Sequence, residues 1–124
     1  MQITERQVRG VTILDLEGRF VLEDGVTEFT ERMNALSRHG PVRILLNFEQ
    51  VTYLDSAGVG AIAWKCVTVR KRDGEVKLLN LRRKSHNVLM TTRLLTVIEA
   101  FESEDQALDS FVDRRDDTES EGFK

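Results

Sequence analysis

Val51-Thr-Tyr-Leu-Asp-Ser-Ala-Gly-Val-Gly-Ala61 is the stretch on which the reading of this chain turns. It follows Val42-Arg-Ile-Leu-Leu-Asn-Phe48, an apolar run of the kind that forms a buried strand. It opens into Val59 to Val69, which carries apolar residues at helical spacing. A strand, a short turn and a helix therefore meet at Asp55-Ser56-Ala57-Gly58. In open α/β sheets, functional sites lie beyond the carboxyl ends of strands, where helix N-termini present their free N–H groups. Ser56 stands at such a junction.

Upstream, Ile3 to Val8 and Val11 to Leu16 read as two strands joined by a tight turn at Arg9-Gly10, although alternation fails around Leu14. Gly18 begins a loop through Glu23-Asp24-Gly25, with Asp24 as the expected N-cap of a first helix. That helix places Val26, Phe29, Met33 and Leu36 on one face, and His39-Gly40-Pro41 ends it. Downstream, the second helix spans about residues 57–72 and stops at Asp73-Gly74; Val76 to Leu81 is a further strand. Ser85 is placed to cap a short helix carrying Val88 and Leu89. Leu94, Leu95, Val97 and Ile98 form an apolar patch expected to include a short last strand. Ser103-Glu-Asp-Gln106 reads as a capping box, opening a helix that buries Ala107, Leu108, Phe111 and Val112. Residues 113–124 lose apolar content and read as a polar, disordered tail. The order β-β-α-β-α-β-α-(β)-α implies one α/β domain over residues 1–112, with a mixed, largely parallel sheet backed by about four helices.

Composition narrows the function classes. The chain has 124 residues, 40% hydrophobic and 31% charged, ordinary for one globular domain with a real core. No apolar run approaches the roughly 18–20 residues that cross a bilayer. Met1-Gln-Ile-Thr-Glu-Arg-Gln7 lacks the pattern of a signal peptide. A single cysteine, Cys66, fits a reducing compartment, so a cytoplasmic location without a membrane partner is expected. The net charge is −3 with signs interspersed, which argues against a nucleic-acid surface.

Catalytic readings fail on specific residues. A nucleophile elbow needs glycine where Leu54 stands, and neither His39 nor His86 is placed beside Ser56 as a base. Gly58-Val59-Gly60 lacks the third glycine of a dinucleotide fingerprint, since Ala63 occupies that position. One cysteine and two separated histidines offer no metal cluster. No metal, no cofactor and no catalytic residue is therefore expected.

What the turn can do without a catalyst is carry a modification. A phosphate on Ser56 would sit at a helix N-terminus that tolerates negative charge, while altering whatever docks on the turn beside Asp55. The alternative is that Ser56 merely caps the helix. Likewise Gly58 and Gly60, costly in a first helical turn, admit either close approach by a partner or packing on the sheet. Val59, Ile62, Ala63, Cys66 and Val69 form the stripe expected against the sheet. Gly58, Ala61, Lys65, Thr68 and Arg72 form the stripe expected to be exposed, with Trp64 on the border as either partial core or binding anchor.

Asn47-Phe-Glu-Gln-Val-Thr-Tyr-Leu-Asp-Ser-Ala-Gly-Val-Gly60 resembles the signature of STAS domains, in particular the bacterial anti-sigma-factor antagonists. The likeness extends to Leu14-Asp-Leu-Glu-Gly18, Lys77-Leu-Leu-Asn-Leu81 and Leu94-Leu-Thr-Val-Ile98. It implies a STAS-type fold and a partner switch, with this domain as substrate and ligand rather than enzyme. By that resemblance, an anti-sigma factor that is also a serine kinase brings the ATP and phosphorylates Ser56. The unmodified protein holds the kinase, phosphorylation releases it, and a serine phosphatase resets the switch. Asp55, Ala57, Gly58, Gly60, Ala61, Trp64, Lys65 and Thr68 would form the partner face, and the protein would be a monomer or weak homodimer. Family members often carry Ser or Thr where Ala57 stands, so Ser56 is the sole hydroxyl between Tyr53 and Thr68. Family members also place an aspartate just after the glycine ending the second strand. Here the run is Gly18-Arg-Phe-Val21, with Glu23 and Asp24 displaced. Two other readings remain at this point: a STAS accessory subunit of a transport system, and a nucleotide-binding regulatory module.

Overall fold

The computed structural model describes residues 1–111. The chain runs β1 (Gln2–Val8), β2 (Val11–Phe20), α1 (Val26–Ser37), β3 (Arg43–Leu54), α2 (Ser56–Lys71), β4 (Glu75–Leu79), α3 (Arg83–Thr91), a 3₁₀ turn (Leu94–Thr96), β5 (Ala100–Phe101) and α4 (residues 104–111). The sheet order is β1-β2-β3-β4-β5; β1 pairs antiparallel with β2 and every other pair is parallel. This is the mixed, largely parallel sheet with four helices that the alternation of elements predicts. Val112 and the expected polar tail, 113–124, lie outside the described residues.

Both faces of the sheet are covered. Leu14, Leu16, Ile44, Leu46 and Phe48 point to one side, where they pack with Phe29 and Met33 of α1, Ile62 and Cys66 of α2, and Leu89 of α3. Val11, Ile13, Leu45 and Leu79 point to the other, under Ala107, Leu108 and Phe111 of α4. The failed alternation around Leu14 has this cause: β2 needs apolar side chains on both faces. Lys77 also faces α4 and is 2% exposed. Its ammonium donates to Ser110 Oγ at 2.7 Å, lies 3.2 Å from a Glu99 carboxylate oxygen, and stands 4.7 Å from the ring centre of Phe111. Among the described residues, no helix is long and apolar enough to cross a membrane.

Four local expectations are corrected. Asp24 does not cap α1; Gly25 holds that position, and the Asp24 carboxylate instead accepts from the Met1 ammonium. A full positive charge outcompetes a backbone N–H for a carboxylate. Ser85 does not cap α3, which starts two residues earlier and turns Ser85 inward, 3% exposed. The apolar patch at 94–98 forms a 3₁₀ turn whose Leu94 and Ile98 plug the core, and β5 follows it. The strand through the opening motif runs farther than Phe48, to Leu54. The Ser103 cap holds, its hydroxyl accepting from the Gln106 N–H at 3.3 Å.

The length of β3 is what positions the motif. Its first half, Arg43 to Asn47, pairs with β4; beyond that, Gln50 to Leu54 pair only with β2, through two register shifts. The strand thus projects past β4 and delivers Asp55 beside the end of β2, where the Asp55 N–H donates to Phe20 O. Phe20 is fully buried, 4.9 Å from the Phe29 ring centre and 6.4 Å from that of Phe48. Gly58 packs directly on it: a Cβ there would lie 2.5 Å from Phe20 O and 2.8 Å from Leu54 Cδ1. Gly60, two residues on and on the opposite side of the helix, has open space at the corresponding point. Accordingly, Gly58→Ala should destabilise the domain by about 1–3 kcal/mol through overpacking. Gly60→Ala should stabilise it by about 0.5–1 kcal/mol through helix propensity. Urea midpoints of the two variants, measured side by side, check the contrast.

Candidate functional site: the β3–α2 turn and the outer face of α2

Asp55 organises the turn. It is the N-cap of α2, with extended backbone. Its Oδ1 accepts from the Gly58 N–H at 2.9 Å and its Oδ2 from the Leu22 N–H at 3.2 Å. One carboxylate therefore closes the helix end and ties down the loop after β2. That loop is itself a tight turn, with Val21 and Asp24 exchanging backbone hydrogen bonds at 3.0 and 3.1 Å. The Gly58 N–H above all holds the Asp55 carboxyl below the usual carboxylate range, with the Leu22 N–H assisting against partial desolvation.

Ser56 is the first residue of α2 and is exposed. Capping belongs to Asp55, so the Ser56 hydroxyl is left at the surface, next to N–H groups of a helix N-terminus. From Ser56 the exposed face of α2 continues at four- and three-residue steps through Gly60, Trp64 and Val67. Trp64 is 68% exposed and Val67 49%. Ala57, Ala61 and Thr68 lie half-buried along its margins, and Tyr53 and Leu22 are exposed large side chains near its upper end. An exposed tryptophan about two turns from Ser56 gives this face an anchor suited to docking.

Two residues expected on this face are elsewhere. Gly58 is buried on Phe20, so its lack of a side chain serves packing on the sheet. Lys65 is 8% exposed and donates to Asn34 Oδ1 of α1 at 2.7 Å, bridging α2 to α1. The expected inner stripe holds at Val59, Ile62, Cys66 and Val69, whereas Ala63 is only half-buried. Val67 was not expected at the surface. Helical spacing from Gly60 and Trp64 reaches it, but α2 is small or apolar on most sides, which blurs its faces. Burial pushes the Cys66 thiol up to about 12, leaving it a small apolar filler. No group of three or more His, Cys, Asp or Glu side chains with metal-binding placement occurs among the described residues.

The depressed Asp55 carboxyl has a signed consequence. Its folded-state value lies below the unfolded one, near 3.9. Its stabilising contribution is therefore complete above that unfolded value and is lost as pH falls through the folded value. Asp55→Asn keeps a capping oxygen but removes the charge. It should destabilise the domain slightly at neutral pH, and the difference from the parent should vanish at strongly acidic pH. Chemical denaturation of both proteins across that range measures it.

The chain is 26% identical over 111 residues to a curated protein of Paenibacillus polymyxa, the anti-sigma F factor antagonist, an alignment covering 87% of this chain and 92% of that one. Among solved structures, a Thermotoga maritima protein superposes with a TM-score of 0.80 at 20% identity, over 87% of this chain and 92% of that one. The Bacillus cell fate determinant SpoIIAA, in its phosphorylated form, superposes with a TM-score of 0.70 at 21% identity, over 89% of this chain and 99% of its own. At these identities the solved structures speak for the fold alone. The model of the STAS domain family matches residues 2–107, most of the chain, and this protein belongs to that family.

Proposed function

We propose that this chain is an anti-sigma-factor antagonist switched by phosphorylation of Ser56. In its unmodified state it binds a serine kinase that is also an anti-sigma factor; the kinase supplies ATP and phosphorylates Ser56; a serine phosphatase restores the binding state. The observation that carries the reading is the single exposed hydroxyl at the start of α2, continuous with the Gly60–Trp64–Val67 face. The Paenibacillus relative bears the name of such an antagonist, and the Bacillus structure is of a phosphorylated protein of the same fold.

The switch is electrostatic. A phosphate brings about −1.5 to −2 charges to the turn, beside the Asp55 carboxylate. The α2 N-terminus offers it N–H donors and a partial positive charge of about half a unit, so the fold tolerates the group. A partner docked across Asp55, Ala57, Gly60, Ala61, Trp64 and Thr68 would meet that charge at the rim of the contact, with Val67 extending the face. Repulsion and desolvation of the phosphate weaken docking there, without any rearrangement of the core. The chain's part in the chemistry is to present a nucleophilic oxygen at an ordered helix end, while the kinase supplies base and metal–nucleotide.

Incubation of the protein with its cognate kinase and ATP, followed by mass spectrometry, should place one phosphate on Ser56. Ser56→Ala should abolish labelling and keep kinase affinity, whereas Ser56→Asp should lower it by roughly tenfold or more. Labelling at another residue, or native affinity in Ser56→Asp, would sink the reading. Trp64→Ala should weaken binding by about 2 kcal/mol, some thirtyfold, with the domain's own stability almost unchanged, as calorimetric titration would show.

A further inference from the structure

The molecule carries a concentrated positive patch beside the switch. Between Glu75 and Glu99 the chain has no Asp or Glu, and carries Lys77, Arg82, Arg83, Lys84 and Arg93, in a protein of net charge −3. Lys77 is already satisfied on the α4 side of the sheet. Arg82, Arg83 and Lys84 are consecutive and exposed, at the start of α3. Arg6, Arg9 and Arg32 each pair with a carboxylate, whereas none of these three makes an ion pair among the described residues.

Their position is unfavourable for the fold itself. Cations in the first turn of a helix oppose its dipole, and like charges side by side repel. The α3 N-cap is Arg82, with no side-chain hydrogen bond to close the helix end. These three residues also border, with Ser85, a cleft of about 410 Å³ whose other wall is Val51 and Thr52 of β3. Thr52 is four residues before Ser56 along an extended strand, so the cleft lies roughly 13 Å from the turn that carries the switch.

We infer that this cleft is a second docking point for the same partner, taking an acidic segment of the kinase between β3 and the Arg82-Arg83-Lys84 run. The inference rests on the proposed kinase partnership and adds to it the charge of the partner's contacting segment. Charge complementarity selects that occupant: three cations without an ion-pair partner among the described residues, and a helix end with no side-chain cap, favour carboxylates, while the arginine stems offer apolar contact to the residues between them. The patch is remote enough from the α2 face to act chiefly on encounter. Its contribution is to the association rate, and is screened by salt.

The test is the variant Arg82→Glu/Arg83→Glu/Lys84→Glu in the full chain, against the purified kinase, by surface plasmon resonance at low and physiological salt. Glutamate suits a helix N-terminus, so the variant retains a folded α3, checked by its thermal midpoint. The expected result is association slowed about tenfold at low salt and a flattened salt dependence, with dissociation little changed. Native association and salt slope in the variant would overturn the docking point and leave the Ser56 reading intact. A kinase that ignores the native chain as well would overturn both. Phosphatidylserine vesicles and duplex DNA serve as parallel probes. Native-chain binding to either, lost on charge reversal while kinase association is unchanged, would reassign the patch away from an acidic protein segment.

Discussion

The Asp55 carboxylate joins three parts of the molecule that chain connectivity leaves separate. It caps α2 through the Gly58 N–H, holds the loop after β2 through the Leu22 N–H, and stands at the end of β3, whose Asp55 N–H reaches Phe20 O. Gly58 then seats the first turn of α2 against Phe20, where a Cβ would lie 2.5 Å from Phe20 O. Because these contacts fix the turn from beneath, Ser56, one of the two residues between them, is left without a capping role. Ser56 is exposed because Asp55 and Gly58 hold the turn beneath it. An ordered backbone under an exposed hydroxyl suits the substrate role proposed for Ser56.

The rest of the fold supports that turn at a distance. The projecting half of β3 pairs only with β2, so its stability depends on the β2 end and on the Phe20–Phe29–Phe48 cluster beneath it. On the opposite side of the sheet, α4 is fastened by polar contacts as well as by Leu108 and Phe111. Arg6 donates to Asp15 at 2.6 Å and to Glu104 at 2.8 Å, and Asn47 donates to Asp15 at 2.8 Å, linking β1, β2, β3 and α4. Burial alone would raise the Asp15 carboxyl, but the Arg6 and Asn47 donors outweigh it and hold it low. Lys77 adds a buried cation under α4, satisfied by Ser110 and Glu99.

Much of this was legible in the sequence, because periodicity and turn chemistry are local. The order of elements, the strand-to-helix junction at Asp55-Ser56, the Ser103 cap and the core positions of α1 all follow from spacing a few residues long. What was not legible depended on partners far along the chain. Lys65 looks like a solvated lysine within α2, and only Asn34, 31 positions away, draws it inward. Asp24 is a sound N-cap by type, yet it answers the Met1 ammonium. Gly58 and Gly60 are alike in sequence and opposite in environment, since the proximity of Phe20 arises from sheet register. Trp64 stood on a border that helical spacing could not decide, and the structure turns it outward.

The central claim is that charge can arrive at Ser56 while the domain beneath it stays as it is. Backbone amide NMR of the protein, before and after stoichiometric phosphorylation of Ser56, tests this most directly, with hydrogen exchange recorded on both samples. The account predicts shifts confined to residues 20–24 and 55–61, with unchanged protection in β3, β4 and the buried side of α2. Loss of protection along β3, or shifts spread through the core positions Ile44, Leu46 and Ile62, would contradict it.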